Sequence, residues 1–64
     1  MMTILVLKEH EDESYKTRLL ESIDNSKNQY VVSRENKETK LITSYIFNSF
    51  EFIDAMKRFD KCVC

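Results

Sequence analysis

The chain has no glycine, no proline and no tryptophan, and its one alanine is Ala55. Each absence removes a class of structure. Walker-type and dinucleotide-binding loops need glycine because the backbone must approach the phosphate closely. The strained turn that carries a nucleophilic serine needs it as well. A glycine-free chain of 64 residues is not built on any of these loops, which removes the common nucleotide-dependent enzymes. Left-handed backbone positions must then fall to asparagine, which tolerates them. Asn25, Asn28, Asn36 and Asn48 stand where the apolar pattern breaks.

Charge of one sign is also missing. Ten basic and eleven acidic residues leave a net charge of −1, and neither half is strongly biased. A generic phosphate-backbone binder shows a basic excess, so nucleic acid is a disfavoured partner. No apolar run reaches the roughly 18 residues that cross a bilayer. The opening Met-Met-Thr-Ile-Leu-Val-Leu-Lys lacks the basic start and small-residue cleavage site of a secretory leader. The expectation is a cytoplasmic protein without a membrane segment.

What is present is lysine, isoleucine and asparagine, at seven, five and four copies. These residues have AT-rich codons, whereas those of glycine, proline and alanine are GC-rich. The inventory points to an AT-rich genome such as that of a virus, a phage, a mobile element or a low-GC bacterium. If the source is viral, the compartment is the host cytoplasm. The composition, 42% hydrophobic and 33% charged, is too apolar for a disordered chain. Sixty-four residues make a single small domain that buries only about 60% of the surface its unfolded chain exposes.

The pattern predicts a small α+β domain, β-α-β-β-α, with a three-stranded sheet and two helices. Residues 2–8 read as a strand, and the unbroken Ile4-Leu5-Val6-Leu7 suggests a central one covered on both faces. Residues 12–25 read as a helix, because Tyr15, Leu19 and Ile23 fall at i, i+4 and i+8 with Leu20 beside them. Asp12 or Ser14 would cap it. Residues 29–34 alternate, with Tyr30, Val32 and Arg34 on one face and Val31 and Ser33 on the other. A polar link of hairpin length follows, with Asn36 as its left-handed residue. Residues 39–47 form a third strand, with Leu41, Thr43, Tyr45 and Phe47 opposed to Ile42, Ser44 and Ile46. The last helix is capped by Asn48 or Ser49, with Glu51 placed for a capping box. Phe52, Ile53, Met56 and Phe59 would form its buried stripe.

A rival pattern overlies the same letters. Ile42, Tyr45, Ser49, Phe52, Met56, Phe59 and Val63 are spaced as a heptad seam. The alternative is thus β-α-β followed by one long dimerising helix. Residues 39–47 are rich in β-branched and aromatic types and Asn48-Ser49 is a poor helix interior, which favours the split. A further variant pairs residues 61–64 as a last strand, giving a ferredoxin-like order.

No set of residues converges on a chemistry. Cys62 and Cys64 with His10 supply three metal ligands at most, and a structural zinc site takes four. The ending Cys62-Val63-Cys64 is similar to that of Rab-type small GTPases, a likeness of three residues that would imply prenylation, but their phosphate loop has no counterpart here. His10 in its acidic surroundings lacks a second group to act with as a general base. No cofactor and no enzymatic activity are expected. Arg34, Lys37 and Lys40 near Tyr30 and Tyr45 would suit single-stranded nucleic acid, but Glu35 and Glu38 cancel their charge. The apolar inventory exceeds what two short helices can cover. The leading expectation is therefore a protein-interaction module, a viral, phage or mobile-element accessory protein that inhibits or otherwise modulates another protein. It would pair with that protein or with a second copy, through Tyr30, Val32, Arg34, Tyr45 and Phe47. The alternative is a small nucleic-acid-binding regulator using Arg34, Lys37 and Lys40.

Overall fold

A computed structural model describes residues 2–25 and 27–63. The architecture is small α+β, a four-stranded antiparallel sheet with one helix across it. Strands β1 (Met2–Glu11), β2 (Tyr15–Asp24), β3 (Lys27–Asn36) and β4 (Ile42–Asn48) follow each other in the sheet in chain order. A single 3-10 turn, Ser49–Glu51, leads into helix α1 (Phe52–Val63). The molecule is a slab of 36 × 24 × 15 Å, one sheet and one helix thick. No helix among the described residues is long and apolar enough to cross a membrane.

The expected first helix is strand β2, so the three-strand, two-helix arrangement gives way to four strands and one helix. The reason lies in the spacing. A step of four residues keeps side chains on one face of a helix and equally on one face of a strand. Tyr15, Leu19 and Ile23 therefore satisfy both periods, and the residues between them decide. Thr17 completes the period of two and is buried beside Leu19. Tyr15, Thr17 and Ile23 are types that favour strands. Asp12 does not cap a helix. It closes the β1–β2 turn, where its Oδ1 accepts backbone hydrogen bonds from Ser14 (2.8 Å) and Tyr15 (2.7 Å).

Strand β1 is an edge, not a central strand, and its side chains from Thr3 to Glu11 are exposed. The unbroken apolar run was ambiguous between a strand covered on both faces and one covered on neither. The long-helix alternative is also overturned, since β4 ends at Asn48 before the helical turn begins. Cys62 lies in α1 and packs half-buried against the core, so residues 61–63 form no strand. Cys64 lies outside the described residues. The anticipated cap holds: the Asn48 backbone N–H donates to Glu51 Oε1 at 3.0 Å. Of the left-handed positions, Asn25 has φ 48°, but the β3–β4 turn places Lys40, not Asn36, at φ 66°. Asn36 serves that turn with its side chain, whose Oδ1 accepts from the Glu38 and Thr39 backbones at 2.9 and 3.1 Å.

The core is one layer between α1 and the sheet. Leu19 and Val32 stand opposite each other on β2 and β3, both fully buried, under Ala55 and Phe59 of the helix. Tyr30, Tyr45, Phe47, Met56, Cys62 and Val63 pack around them. Of the expected buried stripe, Phe59 is buried and Met56 packs against the core, but Phe52 and Ile53 are 40% and 69% exposed, because the helix turns Ala55 inward with Phe59. The helix lies over β2, β3 and β4 and leaves β1 largely uncovered.

Two outcomes follow in equilibrium denaturation. Leu19→Ala is expected to cost about 2–5 kcal/mol, as for a buried leucine that leaves a cavity. Lys40→Gly is expected to raise stability by up to about 1 kcal/mol, because a side chain with a Cβ is disfavoured in the left-handed region. An unchanged midpoint for Leu19→Ala would place the core elsewhere.

Candidate protein-interaction surface

Antiparallel pairing fixes which side chains share a face. On the side that α1 does not cover, Val6 stands opposite Leu20, Leu20 opposite Val31 and Val31 opposite Ile46. An apolar row therefore crosses all four strands. Val6 and Ile46, at its two ends, are 55% and 66% exposed. Ile4 and Ile42, also exposed, widen it along β1 and β4. Ser22, Ser33 and Ser44 border the row on neighbouring register positions. Beyond them runs a charged margin: Arg18 Nε lies 3.3 Å from Glu9 Oε2, and Lys37 pairs with Glu11.

The exposed surface as a whole is large for the mass. A monomer of 7.7 kDa is expected to expose about 4,300 Å². This chain exposes 4777 Å², about a tenth more than that relation gives. The sheet leaves one face uncovered and ends in two edge strands, β1 and β4.

The contact residues expected from sequence lie on the other face. Tyr30, Val32, Arg34, Tyr45 and Phe47 share one face of β3 and β4, but it is the face that α1 packs on, and all except Arg34 belong to the core beneath the helix. Val32 is 0% exposed and is core. Tyr30 packs its ring on Phe52 at 4.9 Å between centroids, and Tyr45 lies under the Arg58 guanidinium at 4.7 Å. Phe47 borders a groove of about 440 Å³ with Asp54, Lys57, Arg58 and Lys61. Of the basic set, Arg34 stacks on the Tyr15 ring at 3.7 Å and Lys37 is held by Glu11, while Lys40 sits exposed in the β3–β4 turn. The surface residues that sequence reasoning missed are Val6, Leu20, Val31, Ile42 and Ile46. The alternation of residues 42–46 and 30–34 already put Ile42, Ile46 and Val31 on a common side. What was lacking was β2, which joins that side to β1 through Leu20.

Among the described residues no three histidine, cysteine, aspartate or glutamate side chains gather as a metal site. His10 and Cys62 stand at separate places, on the exposed edge strand and the last turn of α1. Compared with known protein families, curated proteins and solved structures, the chain matches none.

Two carboxylates tie down the turn that presents β1. Backbone N–H groups of Tyr15 and Ser14 hold the Asp12 carboxyl below its ordinary value of 3.8. The hydrogen bond and charge of Lys37 hold that of Glu11 below 4.5. Each lowered value stabilises the folded chain above the ordinary carboxylate range, and the contribution is lost as pH falls through the lowered pKa. Unfolding followed between pH 2 and 7 should therefore show stability rising with pH and levelling off above about 5. Asp12→Asn keeps an acceptor for the turn and should flatten part of this slope. An unaltered acid limb in both Asp12→Asn and Glu11→Gln would contradict these pairings.

Proposed function

We propose that this chain is a small non-enzymatic protein-interaction module that binds and modulates, by inhibition, another protein through the open face of its sheet. The observation that carries this reading is the apolar row of Val6, Leu20, Val31 and Ile46, which no element of the chain covers. Exposed apolar patches of a few hundred Å² with a polar border are where soluble proteins bind other proteins. Serines beside the row give the border hydrogen-bonding groups, and the charged margin beyond it would set the orientation of a partner. The AT-rich residue inventory supports an accessory protein of a virus, phage or mobile element, at work in the host cytoplasm.

Nucleic-acid binding by Arg34, Lys37 and Lys40 has less support. Two of these three cations are already engaged, by Tyr15 and by Glu11. Among the described residues no nucleophile and acid–base pair are brought together to support an enzymatic activity.

The test is capture of a host protein by the immobilised chain, followed by binding measurements on the captured protein with two single variants. Ile46→Lys places a charge in the row, and Ile53→Lys places one on the exposed side of α1. Binding is expected to weaken at least tenfold with Ile46→Lys and to stay unchanged with Ile53→Lys. Equal binding by both variants would contradict the assignment. So would tight binding of an oligonucleotide whose affinity falls steeply with salt, the mark of phosphate contacts.

A further inference from the structure

Strand β1 raises a question separate from the open face. It is ten residues long, its side chains from Thr3 onward are exposed, and its outer edge offers unpaired backbone groups. Proteins blunt such edges with proline, with inward charges, with bulges or with very short strands. Here the edge has no proline, and its first half is the uncharged Met-Thr-Ile-Leu-Val-Leu. The register shift between Val6 and Lys8 is the only irregularity it shows.

We infer that the β1 edge pairs antiparallel with β1 of a second copy, joining two sheets into one of eight strands. The sequence of the strand is complementary to itself about Leu5. In that register Leu5 meets Leu5 and Ile4 meets Val6, and the register shift at Leu7 lies just beyond these pairs. The faces agree as well. Leu5 lies opposite Glu21 on the helix side, whereas Ile4 and Val6 lie opposite Ser22 and Leu20 on the open side. An antiparallel joint places side chains that meet on the same face, so both apolar sets are matched across it. The apolar row of the open face then continues from one copy into the next.

Charge points to the same register. Glu9, His10 and Glu11 follow the apolar half of the strand. Pairing centred on Leu5 carries these residues past the partner's strand end, so the acidic ends lie far apart. Pairing centred on Lys8 or beyond would set like charges beside each other, which is destabilising, and pairing centred on Val6 or Leu7 would set Lys8 or Glu9 against apolar residues. A foreign strand could also add to this edge, but it would have to supply apolar groups on both faces at once. A second copy does so by construction. The surface is available too. The side chains from Thr3 to Glu11 are all exposed and so open to a partner strand. Finally, four buried apolar side chains are a small core for independent stability, and association is a common remedy at this size.

Sedimentation equilibrium on the reduced full chain tests this, with Leu5→Lys and Ile53→Lys beside it. Leu5 is 45% exposed, so the lysine is accommodated in an unpaired strand. The wild type and Ile53→Lys are expected to sediment as two 7.7 kDa chains, and Leu5→Lys as one. Intermolecular contacts in a mixed isotope-labelled sample of the wild type give a second readout that needs no variant, and they should join Leu5 to Leu5 and Ile4 to Val6. A wild type that stays monomeric at millimolar concentration overturns the inference. So does a dimer that survives Leu5→Lys, or one whose contacts join Val31 and Ile46 of two copies. The dimer and the open-face reading fail separately, because Ile46→Lys leaves the joint intact and Leu5, on the helix side, is no part of the row.

Discussion

A single amphipathic helix can cover one face of a four-stranded sheet and no more. Leu19 and Val32, opposite each other on the middle strands, meet Ala55 and Phe59 of α1, and the other buried and half-buried side chains arrange themselves around that contact. Burying a large aliphatic or aromatic side chain contributes about 1.5–3 kcal/mol relative to leaving it exposed. Four such positions, one of them only an alanine, give a modest sum against the ordering of a 64-residue backbone. The helix therefore has to sit over β2, β3 and β4, where those contacts are, and β1 is left at the margin.

From that placement the two naked regions follow. The face away from α1 keeps Val6, Leu20, Val31 and Ile46 in a row, and the edge keeps a ten-residue strand without a neighbour. Both carry apolar groups that a chain destined to stay alone would be expected to replace with charge. The charged groups that do exist are spent locally. Glu11 with Lys37, Glu9 with Arg18 and Arg34 with Tyr15 join neighbouring strands and turns. Such exposed pairs contribute little to stability, but they keep the basic groups from forming one positive face.

The last third of the chain was legible in the sequence. The faces of residues 42–47, the stop at Asn48 and the reciprocal placement of Glu51 are read from local rules, and those rules agree with each other there. Residues 15–24 misled because a spacing of four serves a strand as well as a helix, and no glycine or proline marks a boundary. Reading that segment as a helix removes a strand from the sheet, moves β1 to its centre and turns Tyr30, Tyr45 and Phe47 into open surface. The contact row needs tertiary knowledge of another kind. Leu20 joins β1 to β3 only once the register of three strands is fixed, and register is set by pairing between segments distant in sequence.

Amide hydrogen exchange along β1, in dilute and in concentrated solution, bears most directly on the unpaired edge. In an edge strand alternate amides face the neighbouring strand and alternate ones face water. In dilute solution slow and fast amides should alternate on either side of the register shift between Val6 and Lys8, and the fast ones at residues 3–7 should slow as concentration rises. Uniform protection in dilute solution would mean that this edge is already covered within the chain. Fast amides indifferent to concentration would mean that it stays open to solvent.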